Sequence, residues 1–209
     1  MAIDLHIPIA VSARHAHLSQ ATIERLFGEG YVLTRRSALS QTGQYSAREM
    51  VTLIGPHGRL DHVRLMGPPR ERDQIEISRS DEFVLGLDAP LRISGDLKGT
   101  PGIFVQGPRG RIALAAGVIT AQRHIHMSPQ DARRLGVRDG DMVSAKVGRA
   151  GRSLRFDEIA VRVAPDFTFE LHLDTDEANA AGVTSGDLAQ LVEPASGNEN
   201  GSTAQPAVA

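Results

Sequence analysis

Two histidine doublets carry the most specific chemistry in this chain. His15 and His17 flank Ala16, and His124 and His126 flank Ile125. In an extended backbone residues i and i+2 face the same side, so each doublet aims two imidazoles into one cavity while the residue between them points away. Two such imidazoles are two ligands for one metal ion, which needs at least a third. A single His-x-His is as readily a pair of surface histidines, but here the doublet is duplicated. Ser12 to Gln20 reads SARHAHLSQ and Ala121 to Gln130 reads AQRHIHMSPQ. The paired histidines lie 109 residues apart (124 − 15 and 126 − 17), and Arg14, Ser19, Arg25 and Leu26 match Arg123, Ser128, Arg134 and Leu135 at the same offset. Four of the eight histidines fall in this repeat, which chance seldom produces, so two related halves are expected.

Third ligands are less sharply marked. His172 sits in FELHLD, where alternation puts it on the face opposite Leu171 and Leu173; a lone strand histidine is also commonly structural. Glu76 lies in QIEI on the polar face of a strand, a candidate carboxylate ligand for the first doublet or a solvent-exposed side chain. Just before it, GPPRER (Gly67 to Arg72) reads as a Gly/Pro loop displaying Arg70 or Arg72, a fork of donors for an anion. His6, His57 and His62 lack any partner pattern and read as structural or surface residues.

The elements that must position these groups are short. Each half has a β-like run (Ile7 to Ser12; Ile112 to Ala121), the doublet, then a helix opened by a serine N-cap, Ser19 before Gln20 to Phe27 and Ser128 before Pro129 to Leu135. Alternating runs follow at Met142 to Val147, Glu158 to Val163 and Phe167 to Leu173, and Asp174 opens a short helix that carries Asn179. The 21 Gly and 11 Pro suit many short strands and tight turns. The expected fold is mainly β, two tandem small barrels with short helices. Residues 1–95 form the first half with His15, His17 and Glu76, residues 96–192 the second with His124, His126 and His172, and 193–209 a disordered tail.

Composition excludes several classes. There is no cysteine, hence no disulfide, thiolate ligand or acyl-cysteine intermediate. The 23 basic against 25 acidic side chains, a formal charge of -2, provide no general attraction for nucleic acid or an anionic membrane. No apolar run approaches the roughly 20 residues of a membrane span, and the N-terminus has no signal-like pattern, so a cytoplasmic protein is expected.

Taken together these residues resemble the PduL family of phosphate acyltransferases (phosphotransacylases), over essentially the whole chain from about Ile7 to Val192. The resemblance is carried by VSARHAH (Val11 to His17), LSQTGQ (Leu39 to Gln44), GPPR with QIE (Gly67 to Arg70; Gln74 to Glu76), SGD (Ser94 to Asp96), RHIHM (Arg123 to Met127) and DTDEAN (Asp174 to Asn179). It implies two β-barrels related by a pseudo-twofold axis, with two zinc ions at their interface. His15, His17 and Glu76 would hold one ion, which accepts the coenzyme A sulfur; His124, His126 and His172 would hold the second, which keeps an opening for phosphate. By the same likeness Arg70 binds phosphate, and Val11, Ser12, Ala13, Arg64 and Asn179 contact coenzyme A. The substrates implied are a short acyl-CoA, propanoyl before acetyl, and inorganic phosphate. Encapsulated members reside in a bacterial microcompartment through an N-terminal extension that is not seen before Val11. Exposed barrel edges are compatible with a homodimer. The competing readings are a dinuclear metallohydrolase and a non-enzymatic module stapled by metal; the arginine loop beside Glu76 favours acyl transfer to phosphate.

Overall fold

The computed structural model describes residues 6–192; the expected disordered tail, 193–209, lies outside the described residues. In chain order the strands are β1 (His6–Ser12), β2 (His15–Ser19), β3 (Arg35–Ala38), β4 (Tyr45–Ile54), β5 (Arg59–Arg70), β6 (Gln74–Ile77), β7 (Leu91–Arg92), β8 (Ile103–Gly107), β9 (Gly110–Leu114), β10 (Val118–Ala121), β11 (His124–Met127), β12 (Met142–Val147), β13 (Leu154–Val163), β14 (Glu170–Asp174) and β15 (Leu188–Val192). Four short helices, α1 (Gln20–Phe27), α2 (Arg79–Leu85), α3 (Pro129–Leu135) and α4 (Thr175–Ala181), follow β2, β6, β11 and β14. The mainly β expectation holds. Strands β1, β14, β11, β13, β12 and β15 close a barrel, and β2 to β10 form a curled nine-stranded sheet.

The two halves do not divide at residue 95. β8 to β10, at 103–121, pair inside the N-terminal sheet, while β1 leaves it and joins the barrel between β14 and β15. The exchange is reciprocal: β1 runs parallel to β14 with Ala10 beside His172, and β10 runs parallel to β6 with Ile119 beside Glu76. The strand before each doublet thus belongs to the opposite half from the doublet itself. Alternation of apolar side chains reports which residues face a core, not which sheet a strand joins, and so could not reveal this.

Each half keeps its own core. Leu18, Ile23, Leu26, Leu53, Leu65 and Ile75 pack in the sheet half; Ile7, Ile9, Ile125, Met127, Leu171 and Leu173 pack in the barrel. Burial of each such side chain contributes roughly 1.5–3 kcal/mol. Ala16 and Ile125, the residues between the paired histidines, are fully buried in these cores, which turns both imidazoles of each doublet the other way.

Two expected elements change. The run Ile112 to Ala121 is interrupted between β9 and β10, because Gly117 takes a φ of 119° and packs where a Cβ would strike the Asp73 carbonyl at 2.5 Å. The Gly67 to Arg70 stretch is not a loop but the end of β5. Pro68 and Pro69 lack N–H donors, and β2 accommodates them by shifting register between His17 and Ser19, so that Ser19 lies beside Arg70. Gly67 is required because a Cβ there would meet the Tyr45 ring at 2.1 Å.

Candidate functional site

The crossovers between halves are where the chemistry collects. After β1 the chain passes through Ala13 and Arg14 into β2, and after β10 it passes through Gln122 and Arg123 into β11. Each crossover arginine is anchored on a helix N-terminus: Arg14 Nη2 lies 2.8 Å from Asp81 in α2, and Arg123 Nη1 2.9 Å from Glu177 in α4. The two carboxylates occupy the third helical position of a capping box, with Ser78 and Asp174 as N-caps. The turn that presents each doublet is therefore pinned to a helix by a charge-assisted bond.

Within each half the doublet strand is antiparallel to the strand bearing the third candidate ligand. His15 stands opposite Glu76, and His124 opposite His172. The ligand-type atoms of His15, His17 and Glu76 lie within 4.8 Å of one another, as do those of His124, His126 and His172. Glu76 is buried, which removes its solvent-exposed alternative, and His15 Nε2 is 3.6 Å from its Oε2. His172 is ring-stacked on His124 with centroids 4.9 Å apart. Its neighbour Glu170 is held by the other half, accepting from Ser40 Oγ at 2.5 Å, while Thr168 Oγ1 donates to the Ser40 carbonyl.

The remaining ring nitrogens are arranged as metal ligands require. Nδ1 of His15 is 2.8 Å from the Ala13 carbonyl and Nδ1 of His124 is 2.8 Å from that of Gln122, so in both rings Nδ1–H donates and Nε2 is left with its lone pair. His126 Nδ1 is buried with no hydrogen-bond partner, and the buried His172 Nε2 has only the Glu170 carboxylate near it, with Oε2 3.4 Å away. A buried polar atom left unpaired costs ~1–3 kcal/mol, which an ion held by the three imidazoles would offset. The residues present therefore fit two metal ions, one with two imidazoles and a carboxylate, the other with three imidazoles.

Burial, then the neighbouring imidazoles and guanidinium groups, depresses three of these histidines. His17 falls to about 2, helped by His15 and Arg70; His126 falls to about 2, helped by His172, His124 and Arg162; His124 falls to about 4, with His172 the next contributor. Burial pushes the Glu76 carboxyl up, but His15, Arg70 and His124 outweigh it and leave Glu76 below its usual range. All four groups are in their metal-binding forms at neutral pH. The shifts also fix a sign for stability. Without metal, the unfolded chain protonates these imidazoles near pH 6.5 while the folded chain does not, so the unfolded state binds more protons as pH falls. Chelated protein is expected to keep its full stability above pH 6.5 and to lose up to ~1.4 kcal/mol per pH unit per histidine below it, through the window down to about 4 for His124 and about 2 for His17 and His126. Urea midpoints of chelated protein at pH 7.5, 6 and 5 measure this; a flat series would contradict it.

Ser12, Ala13, His15, Glu76 and Ile77 from one repeat and Ala121, Gln122, His124, His172 and Leu173 from the other line a single pocket between the clusters. The lining is nearly self-matching about a pseudo-twofold axis. Arg70 joins the first cluster, with Nη2 3.0 Å from His17 Nε2 and Nη1 3.1 Å from Ser94 Oγ. Of the other residues singled out from sequence, Val11, Arg64 and Asn179 are not on the pocket wall. Arg64 is beside His15 in the β2–β5 register but donates to the Ala47 carbonyl at 2.8 Å, and Asn179 lies in α4. His57 and His62 are exposed. One charged residue of the second cluster escaped the sequence reading: Arg162 on β13, whose Nη1 is 3.4 Å from His126 Nε2.

Fold and site together define a β protein of two halves whose interface carries two facing clusters of metal-ligand side chains, each with an arginine at its edge. The family model described as phosphate propanoyltransferase matches residues 8–184. The chain is 52% identical over 187 residues to the phosphate propanoyltransferase of Thermotoga maritima, covering 90% of this chain and 89% of that one. It is 55% and 53% identical over 189 residues to those of Citrobacter rodentium and Salmonella typhimurium, covering 90% of each chain. The chain belongs to the phosphate propanoyltransferase family, a family of acyltransferases. Among the described residues no helix is long and apolar enough to cross a membrane.

Proposed function

We propose that this protein interconverts propanoyl-CoA, and acetyl-CoA as a smaller analogue, plus phosphate with the acyl phosphate plus coenzyme A, by direct transfer between the two clusters. The observation that carries the reading is the pair of clusters, whose His15, Glu76, His124 and His172 line one pocket, with Arg70 set against His17 of the first. His15, His17 and Glu76 would hold one zinc ion and His124, His126 and His172 the other; nitrogen and carboxylate donors suit zinc and also admit cobalt, nickel or iron. When bound, these ions supply Lewis acidity for the acyl and phosphoryl oxygens and stabilise a thiolate.

The chain's own residues bind and orient the reactants. The Arg70 guanidinium, braced by Ser94, holds phosphate as a forked donor. A phosphate oxygen attacks the thioester carbonyl carbon; the new C–O bond forms, the C–S bond breaks, and coenzyme A leaves with the electron pair on sulfur. In reverse the thiolate attacks the acyl phosphate and phosphate leaves. With no cysteine in the chain, transfer in a ternary complex is favoured over an acyl-enzyme. Ser12 and Ala13, on the pocket wall beside His15, and Val11, Arg64 and Asn179 around it are assigned to the coenzyme A side.

Release of free coenzyme A from propanoyl-CoA, with and without phosphate, tests the proposal. Release that requires phosphate and shows intersecting initial-rate patterns supports it. Release indifferent to phosphate indicates a thioester hydrolase, ping-pong patterns an acyl-enzyme, and no release from the metal-loaded protein a binding module.

A further inference from the structure

Arg162 makes in the barrel the contact that Arg70 makes in the sheet half, although it lies directly opposite its histidine and Arg70 lies opposite Ser19. The strand parallel to β2 is β5, which delivers Arg70 to His17; the strand parallel to β11 is β13, which delivers Arg162 to His126. In both halves the arginine reaches the second histidine of the doublet, from the side opposite the strand of the third ligand.

Neither guanidinium has a carboxylate partner. Among the described residues no carboxylate lies within ion-pair distance of either; Arg70 meets His17 and Ser94, and Arg162 meets His126. The nearest acid by charge to Arg162 is Asp139, which already accepts from the Val163 amide at 2.8 Å. Both arginines are half-buried, and burial holds both below the usual arginine range; the Glu76 carboxylate opposes that shift in both, and in Arg70 the positive charge of Arg162 adds to it. One carboxylate thus serves two guanidinium groups in a partly dehydrated site, which leaves room for a further anion. The Arg162 fork is also aimed in advance. It lies over the Phe167 ring at 5.5 Å, and Phe167 is stacked on His126 at 4.1 Å between centroids, which limits the fork's rotation.

We propose that Arg162 is a second phosphate-binding residue, gripping from the His124, His126 and His172 side the phosphoryl group that Arg70 holds from the His15, His17 and Glu76 side. A phosphate dianion presents enough oxygens for two forks, and guanidinium forks match them bidentately. The inference rests on the acyl transfer reading. Its alternative is that Arg162 only steadies the His126 ring.

The test uses the metal-loaded full chain and three variants, Arg162→Ala, Arg162→Gln and Arg162→Lys. Inorganic phosphate affinity is measured by titration calorimetry without acyl-CoA, beside the KM for phosphate, the KM for propanoyl-CoA and the bound metal. Loss of a charge-assisted contact weakens phosphate binding by about 10- to 100-fold. That change is expected in both the Kd and the KM for phosphate of the Ala and Gln variants, with the KM for propanoyl-CoA within about twofold of wild type, metal content unchanged, and partial recovery in Arg162→Lys. Unchanged phosphate affinity, or an affinity lost only together with metal or fold in all three variants, overturns the assignment. If wild-type release of coenzyme A does not depend on phosphate, the acyl transfer reading itself fails; if it does and the variants bind phosphate normally, only the role of Arg162 fails.

Discussion

Replacing His124 with alanine is expected to lower the rate of phosphate-dependent coenzyme A release by about 10³-fold, with loss of one equivalent of bound metal per chain. The estimate follows from removing an ion that supplies several kcal/mol of charge stabilisation in the transition state. His124 is the sharpest choice because it lies on the pocket wall, its Nδ1–H is committed to the Gln122 carbonyl, and its Nε2 is free to face the cluster. Without it, two imidazoles remain, fewer than the three protein ligands of a catalytic zinc site. The backbone pairing of β11 with β13 and β14 does not use the imidazole, so the fold should persist, which a thermal melt checks. Chelated wild type should show a comparable loss that added metal reverses, whereas His124→Ala should not recover. A variant with full metal and full rate would remove His124 from the site; a metal-depleted variant with full rate would remove the metal from the reaction.

The two histidine doublets were legible in the sequence because they obey local rules. His15 with His17, and His124 with His126, need only the two-residue period of a strand and a recurring motif, and the serine caps announce α1 and α3 at their observed bounds. Glu76 and His172 were weaker because the repeat does not extend to them. They occupy the same place opposite the first histidine of each doublet, yet lie 96 residues apart (172 − 76) instead of the 109 that separates the doublets. The intervening strands and loops differ in length between the halves, so a fixed offset loses register. The barrel register restores the equivalence, and shows that one half uses a carboxylate where the other uses an imidazole. The substitution leaves the first cluster one negative charge richer than the second.

Other features depend on pairing between distant segments and leave no local mark. The exchange of β1 and β10 is one. A run such as Ile7 to Ser12 alternates in the same way whichever sheet it joins, and only the parallel registers with β14 and β6 reveal the swap. Arg162 is another. Flanked by Val161 and Val163, it reads as an outward polar residue of a half-buried strand, and only the β11–β13 register, which sets it opposite His126, shows what it meets there. The swap has a functional consequence. Each cluster's third candidate ligand sits on a strand flanked by one from the other repeat, and the pocket between the clusters is lined by both.

Arg70 is where charge geometry should matter most. Arg70→Ala is expected to raise the KM for phosphate and to lower kcat/KM for phosphate by about 10² to 10³-fold, the loss typical of removing a preorganised donor to a developing or transferred anion. Arg70→Lys keeps the charge but has no planar fork, so it should restore only part of that loss. The side chain is set by a chain of hydrogen bonds: Gln74 donates to Ser94 Oγ at 2.8 Å and to Glu76 Oε1 at 2.6 Å, and Ser94 Oγ accepts from Arg70 Nη1 at 3.1 Å. A lysine ammonium cannot reach Ser94 and a phosphate oxygen in one plane, which is why charge alone should not suffice. The KM for propanoyl-CoA serves as the internal control, because the acyl and coenzyme A moieties are assigned to other residues. Equal loss toward both substrates would indicate collapse of the first cluster rather than loss of an anion contact, and no loss toward phosphate would move the anion site away from Arg70 altogether.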